Sequence, residues 1–289
     1  MLAELIARHG GLKLPEEKRA ALSHVFGIIM WGELAAWKIS LQLADRLVDL
    51  EPKMAATSQA HDEARHFYVM HDYLAALGAV PTSMDRASRA VLDLVLETDD
   101  LVKKLLGMQL MVESLALTIF QVVRETRVEP VLADLLRYYE KDEARHVGLG
   151  VQLLPRLIRG LSKREGLALF AFQMRILGWT LAGLKSMEPS LRALGLDPKA
   201  ILRLGRAKQT LAFQEMWEEL GIRAVPRSRA AVIRTIRGVA EALFSEEPGA
   251  VGRARAFVRG WQGSLDGDLP PVALHPDEAP RRVKIPVRA

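Results

Sequence analysis

The pentapeptide Asp-Glu-Ala-Arg-His stands twice in this sequence, at 62–66 and, letter for letter, at 142–146, an offset of 80 residues. Such an internal duplication points to two copies of one structural unit, which constrains the architecture more than composition does. The register also extends upstream. Gly27 to Glu33 reads Gly-Ile-Ile-Met-Trp-Gly-Glu, and 80 residues later Gly107 to Glu113 reads Gly-Met-Gln-Leu-Met-Val-Glu. Each of Glu33 and Glu113 therefore precedes the second acidic residue of its pentapeptide, Glu63 or Glu143, by 30 residues.

The segments that carry these residues read as helices. Apolar positions recur at helical spacing from about Pro15 to Leu50, and Glu51-Pro52 opens a second run that reaches Leu77 before Gly78 and Pro81 break it. A short helix from about Met84 leads to Thr98-Asp99-Asp100, a capping sequence for a third long helix that ends near Arg127. Glu129-Pro130 then opens a fourth. Four long helices in which the second pair repeats the first predict an all-α four-helix bundle over residues 1–160. Further helical stretches, Lys163 to Met187, Pro198 to Leu220 and Ser228 to Phe244, predict added helices packed on the bundle over 161–262. The Gly-, Pro- and Asp-rich residues 263–289 read as an irregular tail.

Two charges stand where a bundle helix should have none. Glu33 is the only formally charged residue from Ala20 to Trp37, and Glu113 the only one from Leu105 to Val123. At three and four residues from Glu33 lie Ile29, Met30, Ala36 and Trp37; around Glu113 lie Gln109, Leu110, Ala116 and Leu117. An unpaired buried carboxylate is too costly for a marginally stable domain, so each needs a proton or a cation. No lysine or arginine is near on the same helix. In Glu63-x-x-His66 and Glu143-x-x-His146 the two side chains share a face, about 4.5 Å apart along the axis. A glutamate on each of two helices with Glu-x-x-His on each of the other two is the ligand pattern of two metal ions in a bundle core. The set is Glu33, Glu63, His66, Glu113, Glu143 and His146.

With no cysteine in 289 residues, disulfides, thiolate zinc sites and cysteine-held iron–sulfur clusters are excluded. Oxygen-rich donors with one imidazole per metal suit two iron ions, with manganese as the alternative at one or both positions. No glycine-rich phosphate loop or nucleophile elbow is present, which disfavours nucleotide-binding and serine-hydrolase chemistry. The net charge of +5 resides in the stretch from Leu202 to Ala289, which holds 15 Lys and Arg against 10 Asp and Glu. An excess this small, spread over several helices, reads as solvated surface before it reads as a docking face for an acyl carrier; nucleic acid is not an expected partner. The first residues carry no secretion signal and the interrupted stretch around Glu113 no membrane span, so a cytoplasmic location is expected.

At these residues the sequence resembles the ferritin-like di-iron carboxylate superfamily, and its doubled Asp-Glu-x-Arg-His is similar to the oxygen-activating branch: multicomponent hydroxylases, acyl carrier protein desaturases and the small subunit of ribonucleotide reductase. The resemblance spans roughly Phe26 to Gly150. It implies that Glu33 and His66 bind one iron, that Glu113 and His146 bind the other, and that Glu63 and Glu143 bridge or shift between terminal and bridging modes. It also implies that Asp62 accepts a hydrogen bond from His146 and Asp142 one from His66, fixing each imidazole. Arg65 and Arg145, at equivalent positions of the repeat, are expected to pair with nearby carboxylates.

Two departures narrow the expected activity. Met70 occupies the place of the reductase subunit's radical-bearing tyrosine, which disfavours ribonucleotide reduction. Leu117 stands one turn after Glu113, where hydroxylases often place a threonine; Thr118, one residue later, is a weak candidate for handling oxygen. Tyr68, Tyr138, Tyr139, Trp31 and Trp37 read as core aromatics, and His24, His61 and His71 lie outside the ligand set. The expected function is an O2-dependent di-iron oxidase or oxygenase that hydroxylates, desaturates or N-oxygenates a small or acyl organic substrate, supplied by an external electron donor; a homodimer is compatible. The alternative is iron oxidation or peroxide reduction of the ferritin and rubrerythrin kind, and a third reading is a structural bundle with a vestigial site.

Overall fold

The duplicated apolar runs close into two helical hairpins. In the computed structural model, residues 1–225 and 227–287 are described, and they form α1 (Leu2–His9), α2 (Glu16–Arg46), α3 (Leu50–Ala76), α4 (Arg86–Glu97) and α5 (Leu101–Thr126). The chain continues through α6 (Pro130–Ile158), α7 (Lys163–Ala193), α8 (Pro198–Glu219), α9 (Arg227–Leu243) and α10 (Gly249–Gln262). Helix α2 packs along α3 and α5 along α6, and contacts between α3 and α6 join the pairs into a four-helix bundle.

Local chemistry sets the boundaries. Asp100 caps α5 by accepting from the amides of Val102 and Lys103 at 3.0 and 3.1 Å. Glu129 caps α6 through the Leu132 amide at 2.8 Å, just before Pro130 starts the helix. The first long helix stops at Arg46, earlier than its apolar pattern suggests, because Leu47 turns extended and Asp49 begins the next helix. Helices α1 and α10 went unmarked in the sequence reading. The first is only 8 residues long and ends on Gly10 in the left-handed conformation (φ 66°), too short for a periodic pattern to declare itself.

Around the bundle, α7 lies across α2 and α4, while α8 packs on α5 and α6. Helices α9 and α10 pair with each other. The tail lies against α8 through Arg281 with Glu215 and Lys284 with Gln214, and two isolated bridges, Val225 with Val287 and Val272 with Arg281, are its only β contacts among the described residues. Helices α2, α5 and α7 are long and apolar enough to cross a membrane by length and composition alone; in α2 and α5 most of that apolar stretch is buried.

The core positions the site by leaving a gap for it. One apolar cluster holds Met30, Met70, Ile119 and Tyr139, and a second holds Ala36, Ala56, Met111 and Val147. On each of the four bundle helices the acidic and imidazole residues fall between a member of the first cluster and a member of the second, so they form a polar layer sandwiched between two apolar ones.

Candidate metal centre

Each half of the duplication delivers one glutamate from its first helix and a glutamate and histidine from its second. Glu33 comes from α2, Glu63 and His66 from α3, Glu113 from α5, and Glu143 and His146 from α6; all six side chains are buried. They fall into two overlapping groups, Glu33, Glu63, His66 and Glu143 on one side and Glu63, Glu113, Glu143 and His146 on the other, with the donor atoms of each group within 4.8 Å of one another. Glu63 and Glu143 belong to both.

The two shared glutamates span the centre by turning one oxygen to each histidine. Glu63 sets Oε2 3.6 Å from His66 Nδ1 and Oε1 3.1 Å from His146 Nδ1. Glu143 does the same, with Oε1 3.2 Å from His66 Nδ1 and Oε2 3.2 Å from His146 Nδ1. Glu33 Oε2 approaches His66 Nδ1 at 3.5 Å, and Glu113 Oε1 approaches His146 Nδ1 at 3.8 Å. Both imidazoles therefore turn Nδ1 inward.

Outward, each Nε2 faces an aspartate of the other half. His66 Nε2 lies 3.1 Å from Asp142 Oδ2, and His146 Nε2 lies 3.5 Å from Asp62 Oδ2, a looser contact. Arg65 donates to Asp62 at 2.9 Å and to Asp142 at 2.7 Å; Arg145 meets the same two carboxylates at 2.9 and 2.7 Å. Two arginines and two aspartates thus form a closed ring over one end of the polar layer. These charge-assisted contacts fix the aspartates, and Asp142 in turn fixes the His66 plane, while His146 Nε2 stands without a hydrogen-bond partner.

A fit to metal ions follows from atoms left without hydrogen-bond partners. Glu63 Oε2, Glu143 Oε1 and His66 Nδ1 are buried, unpartnered and aimed at the same space. Buried polar atoms are paired in nearly all folded proteins, and hard oxygen donors with one nitrogen each suit iron or manganese. Electrostatics make the same point. Burial, reinforced by the neighbouring carboxylates Glu143 and Glu63, pushes Glu33 and Glu113 well above the usual carboxylate range. Burial alone would lower both histidines, yet the surrounding acids raise His66 and His146 well above the ordinary imidazole value. Burial would likewise raise Glu63, but the two imidazoles beside it hold it well below the usual range. Without a cation in place, protons carry the compensating positive charge.

Helix α5 changes its winding as it enters the site. Leu106–Val112 is a π-helical segment, and Glu113 is the first residue after it. Such segments widen a helix and recur at functional sites. Gly150 on α6 permits the approach: a Cβ there would sit 2.5 Å from the Cβ of Gln109. A cavity of about 100 Å³ opens on the other side of the segment, and both Glu33 and Glu113 stand in its wall. The rest of the lining is apolar, from Ile29, Met108, Met111, Ala116 and Leu184 among others, with Ser88 and Thr180 as hydroxyls and the partly exposed Trp179 at its outer side.

No family model matches this chain, and no curated protein matches it in sequence. Among solved structures it is similar to a Synechococcus protein with aldehyde deformylating oxidase activity, at a TM-score of 0.60 and 20% identity over 85% of this chain and 98% of that one. The chain has the ferritin-like fold. In this ferritin-like bundle the added helices α7 and α4 lie over α2, where they complete the wall of the cavity.

Several residues outside the expected ligand set are placed differently from one another. Thr118 turns its hydroxyl to the Ser114 carbonyl at 2.7 Å and packs toward Gly205, so it is a helix-packing residue away from the cavity lining. His24 meets Ser190, while His61 and His71 are exposed. Tyr68 and Tyr138, expected in the core, are exposed too, because both fall on the outer face of their helices. Tyr139 is buried and stacks on His66, ring centroids 4.0 Å apart, with its hydroxyl donating to the His66 carbonyl at 2.7 Å. Sequence reasoning passed over Gln59 altogether and took Gln109 only as a neighbour of Glu113. Gln59 stands four residues before Glu63 and hence on the same helix face, the one signal that pointed to it.

Proposed function

We propose that this chain is a non-haem di-iron oxidase or oxygenase that uses O2 to hydroxylate, desaturate or N-oxygenate a slender apolar substrate. The observation that carries this reading is the apolar cavity with Glu33 and Glu113 in its wall, which brings an organic group directly against the metal ligands. Iron oxidation alone requires no such cavity. The similarity in fold to a protein with aldehyde deformylating oxidase activity supports the same class of chemistry.

In this reading Glu33 and His66 hold one iron, Glu113 and His146 the other, and Glu63 and Glu143 both. Bound there, a reduced iron pair supplies the electrons and the oxygen activation that carboxylates and imidazoles lack. The protein's own part is placement. Asp142 keeps the His66 imidazole turned so that Nδ1 faces inward, Asp62 faces His146 Nε2 at 3.5 Å, and the Arg65 and Arg145 ring keeps both aspartates ionised and in position. The apolar walls exclude water and orient the substrate chain with its reacting carbon or nitrogen toward the ligands. At about 100 Å³ the cavity is smaller than the roughly 300 Å³ or more of ordinary ligand pockets, so a single unbranched chain fits better than a fused ring. An external donor must return electrons, because the chain has no cysteine with which to hold a redox cluster.

The test is anaerobic loading with ferrous iron followed by O2, with and without unbranched acyl or alkyl compounds of graded length. A member of the series should speed O2 uptake and appear as an oxidised product by mass spectrometry. Iron oxidation and mineral formation indifferent to every such compound, with the cavity shown to be filled in a crystal structure, would return the chain to an iron-handling role.

A further inference from the structure

The two halves of the duplication match at every ligand and differ in what stands behind the ligands. Gln59, buried on α3, donates through Nε2 to Glu113 Oε1 at 2.8 Å and to Glu63 Oε1 at 3.1 Å. Its Oε1 in turn accepts from Gln109 Nε2 at 2.5 Å, and Gln109 is buried in the π-helical segment. The orientation of both amides follows from the network: reversing Gln59 would set its carbonyl oxygen against two carboxylates. Eighty residues on, the equivalent of Gln59 is Tyr139, which stacks on His66 instead. Eighty residues back, the equivalent of Gln109 is Ile29, an apolar residue of the cavity wall. Gly150, whose missing side chain admits Gln109, corresponds to Met70. Three positions have thus diverged together, and all three build or accommodate one amide pair beside Glu113.

We propose that Gln59, anchored by Gln109, is a positioning residue that ties Glu113 to Glu63 and so makes the two metal positions unequal. The inference rests on the metal-pair reading given above. Glu113 and Glu63 each have one oxygen held by the same amide hydrogen pair, so neither can rotate without losing a buried hydrogen bond, a loss that costs more inside a protein than in water. Glu33 has no such tie: its polar neighbour is His66 Nδ1 at 3.5 Å, and it stands in the cavity wall. The Glu113 and His146 position is therefore preorganised, while the Glu33 and His66 position is free to readjust its carboxylate when substrate or oxygen arrives. The preorganised position takes metal first, since its ligands lose less freedom on binding.

Mn(II) titration of the metal-free protein, with unbound Mn(II) counted by electron paramagnetic resonance, tests this without any turnover. Wild type should bind two equivalents in two resolved steps. Gln59→Met, close in volume and unable to donate, should weaken the tighter step by about tenfold or more, the range for losing an outer partner of a ligand, and leave the weaker step within about twofold. In a Glu33→Ala background, which keeps only the Glu113 position, the loss should persist in full; in a Glu113→Ala background it should vanish. Gln109→Met, which touches neither carboxylate, should reproduce the selective loss in smaller measure, so the inference survives even if Gln59→Met folds poorly. Equal weakening of both steps, or a loss that survives Glu113→Ala, overturns the role of Gln59. A wild-type chain that binds no Mn(II) and no Fe(II) overturns the metal-pair reading itself.

Discussion

Asp142 of one half of the duplication reaches His66 of the other, its Oδ2 3.1 Å from Nε2, and shares that oxygen with Arg65 at 2.7 Å. The reciprocal contact between Asp62 and His146 is longer, 3.5 Å. His66 is thus held from across the bundle, so this outer contact fastens the two hairpins to each other as well as orienting the imidazole.

Replacing Asp142 by Asn keeps the shape and removes the charge. The expected outcome is a metal affinity about 10 to 100 times weaker at the His66 position, because a neutral amide holds the imidazole more weakly than the carboxylate that fixes its tautomer. Asp62→Asn should act on the His146 position, less severely given its longer contact. Calorimetric titration with Fe(II) under anaerobic conditions checks both; equal effects of the two variants would contradict the difference in geometry.

Removing a proposed ligand has a coarser signature. Glu143→Ala deletes a residue common to both donor groups and should reduce bound iron from two per chain to one or none, measured by elemental analysis on protein whose helix content is unchanged. Glu33→Ala, present in one group only, should leave one equivalent.

The metal-free protein should lose stability as pH rises. Glu33 and Glu113 are raised by burial and by neighbouring carboxylates, and the surrounding acids raise His66 and His146 against the effect of burial. A group whose folded value lies above its unfolded one stabilises fully below the unfolded value, and that contribution fades as pH climbs through the folded value. For the glutamates the loss starts above about 4.5, and for the histidines above about 6.5. Glu63, held low, acts in the opposite sense, but only in acid. Metal bound there would replace the protons, so the loaded protein should show a flatter profile. Thermal midpoints from pH 6 to 9, with and without metal, measure the difference, and coincident curves would refute a buried cluster.

Most of the candidate site was legible in the sequence because its determinants are local. The duplicated pentapeptide gives the Glu-x-x-His spacing, and the isolation of Glu33 and Glu113 in apolar runs marks them as buried before any fold is known. The π-helical segment was not legible: nothing in Leu106 to Val112 departs from ordinary helical composition, and its widening depends on Gly150 of another helix making room. Gln59 was missed, and Tyr139 was read correctly as core but without its stacking on His66, for a related reason. Their roles are set by what faces them across the bundle, Glu113 in one case and His66 in the other, and a periodicity within one helix carries no such information. Helix α1 escaped because eight residues make too few turns for a periodic pattern to declare itself.

Lys208 offers a test of the bundle independent of the metals. It is buried on α8 with a single hydrogen bond, to the Leu117 carbonyl at 3.3 Å, and burial lowers its pKa from 10.5 to about 8, against a partial opposing pull from Glu140 and Glu125. Glu140 already has its own partner in Arg124 at 2.5 Å, so little holds the ammonium in place. A lysine with a lowered folded value destabilises the native state while it is protonated there; the penalty is present in full below pH 8 and disappears as pH rises toward 10.5. A shift of this size corresponds to roughly 3 kcal/mol at 1.36 kcal/mol per unit. Lys208→Met, apolar and similar in length, should therefore stabilise the protein at pH 7 by about 1 to 3 kcal/mol, the lower end allowing for imperfect packing. The advantage should shrink between pH 8 and 10, opposite in sense to the loss expected of the metal-free cluster, and the same metal loading in both proteins keeps the two effects apart. Denaturant unfolding at pH 7 and pH 10 measures it. If Lys208→Met is destabilising at both, the ammonium is anchoring α8 to the bundle and its burial is not a net cost.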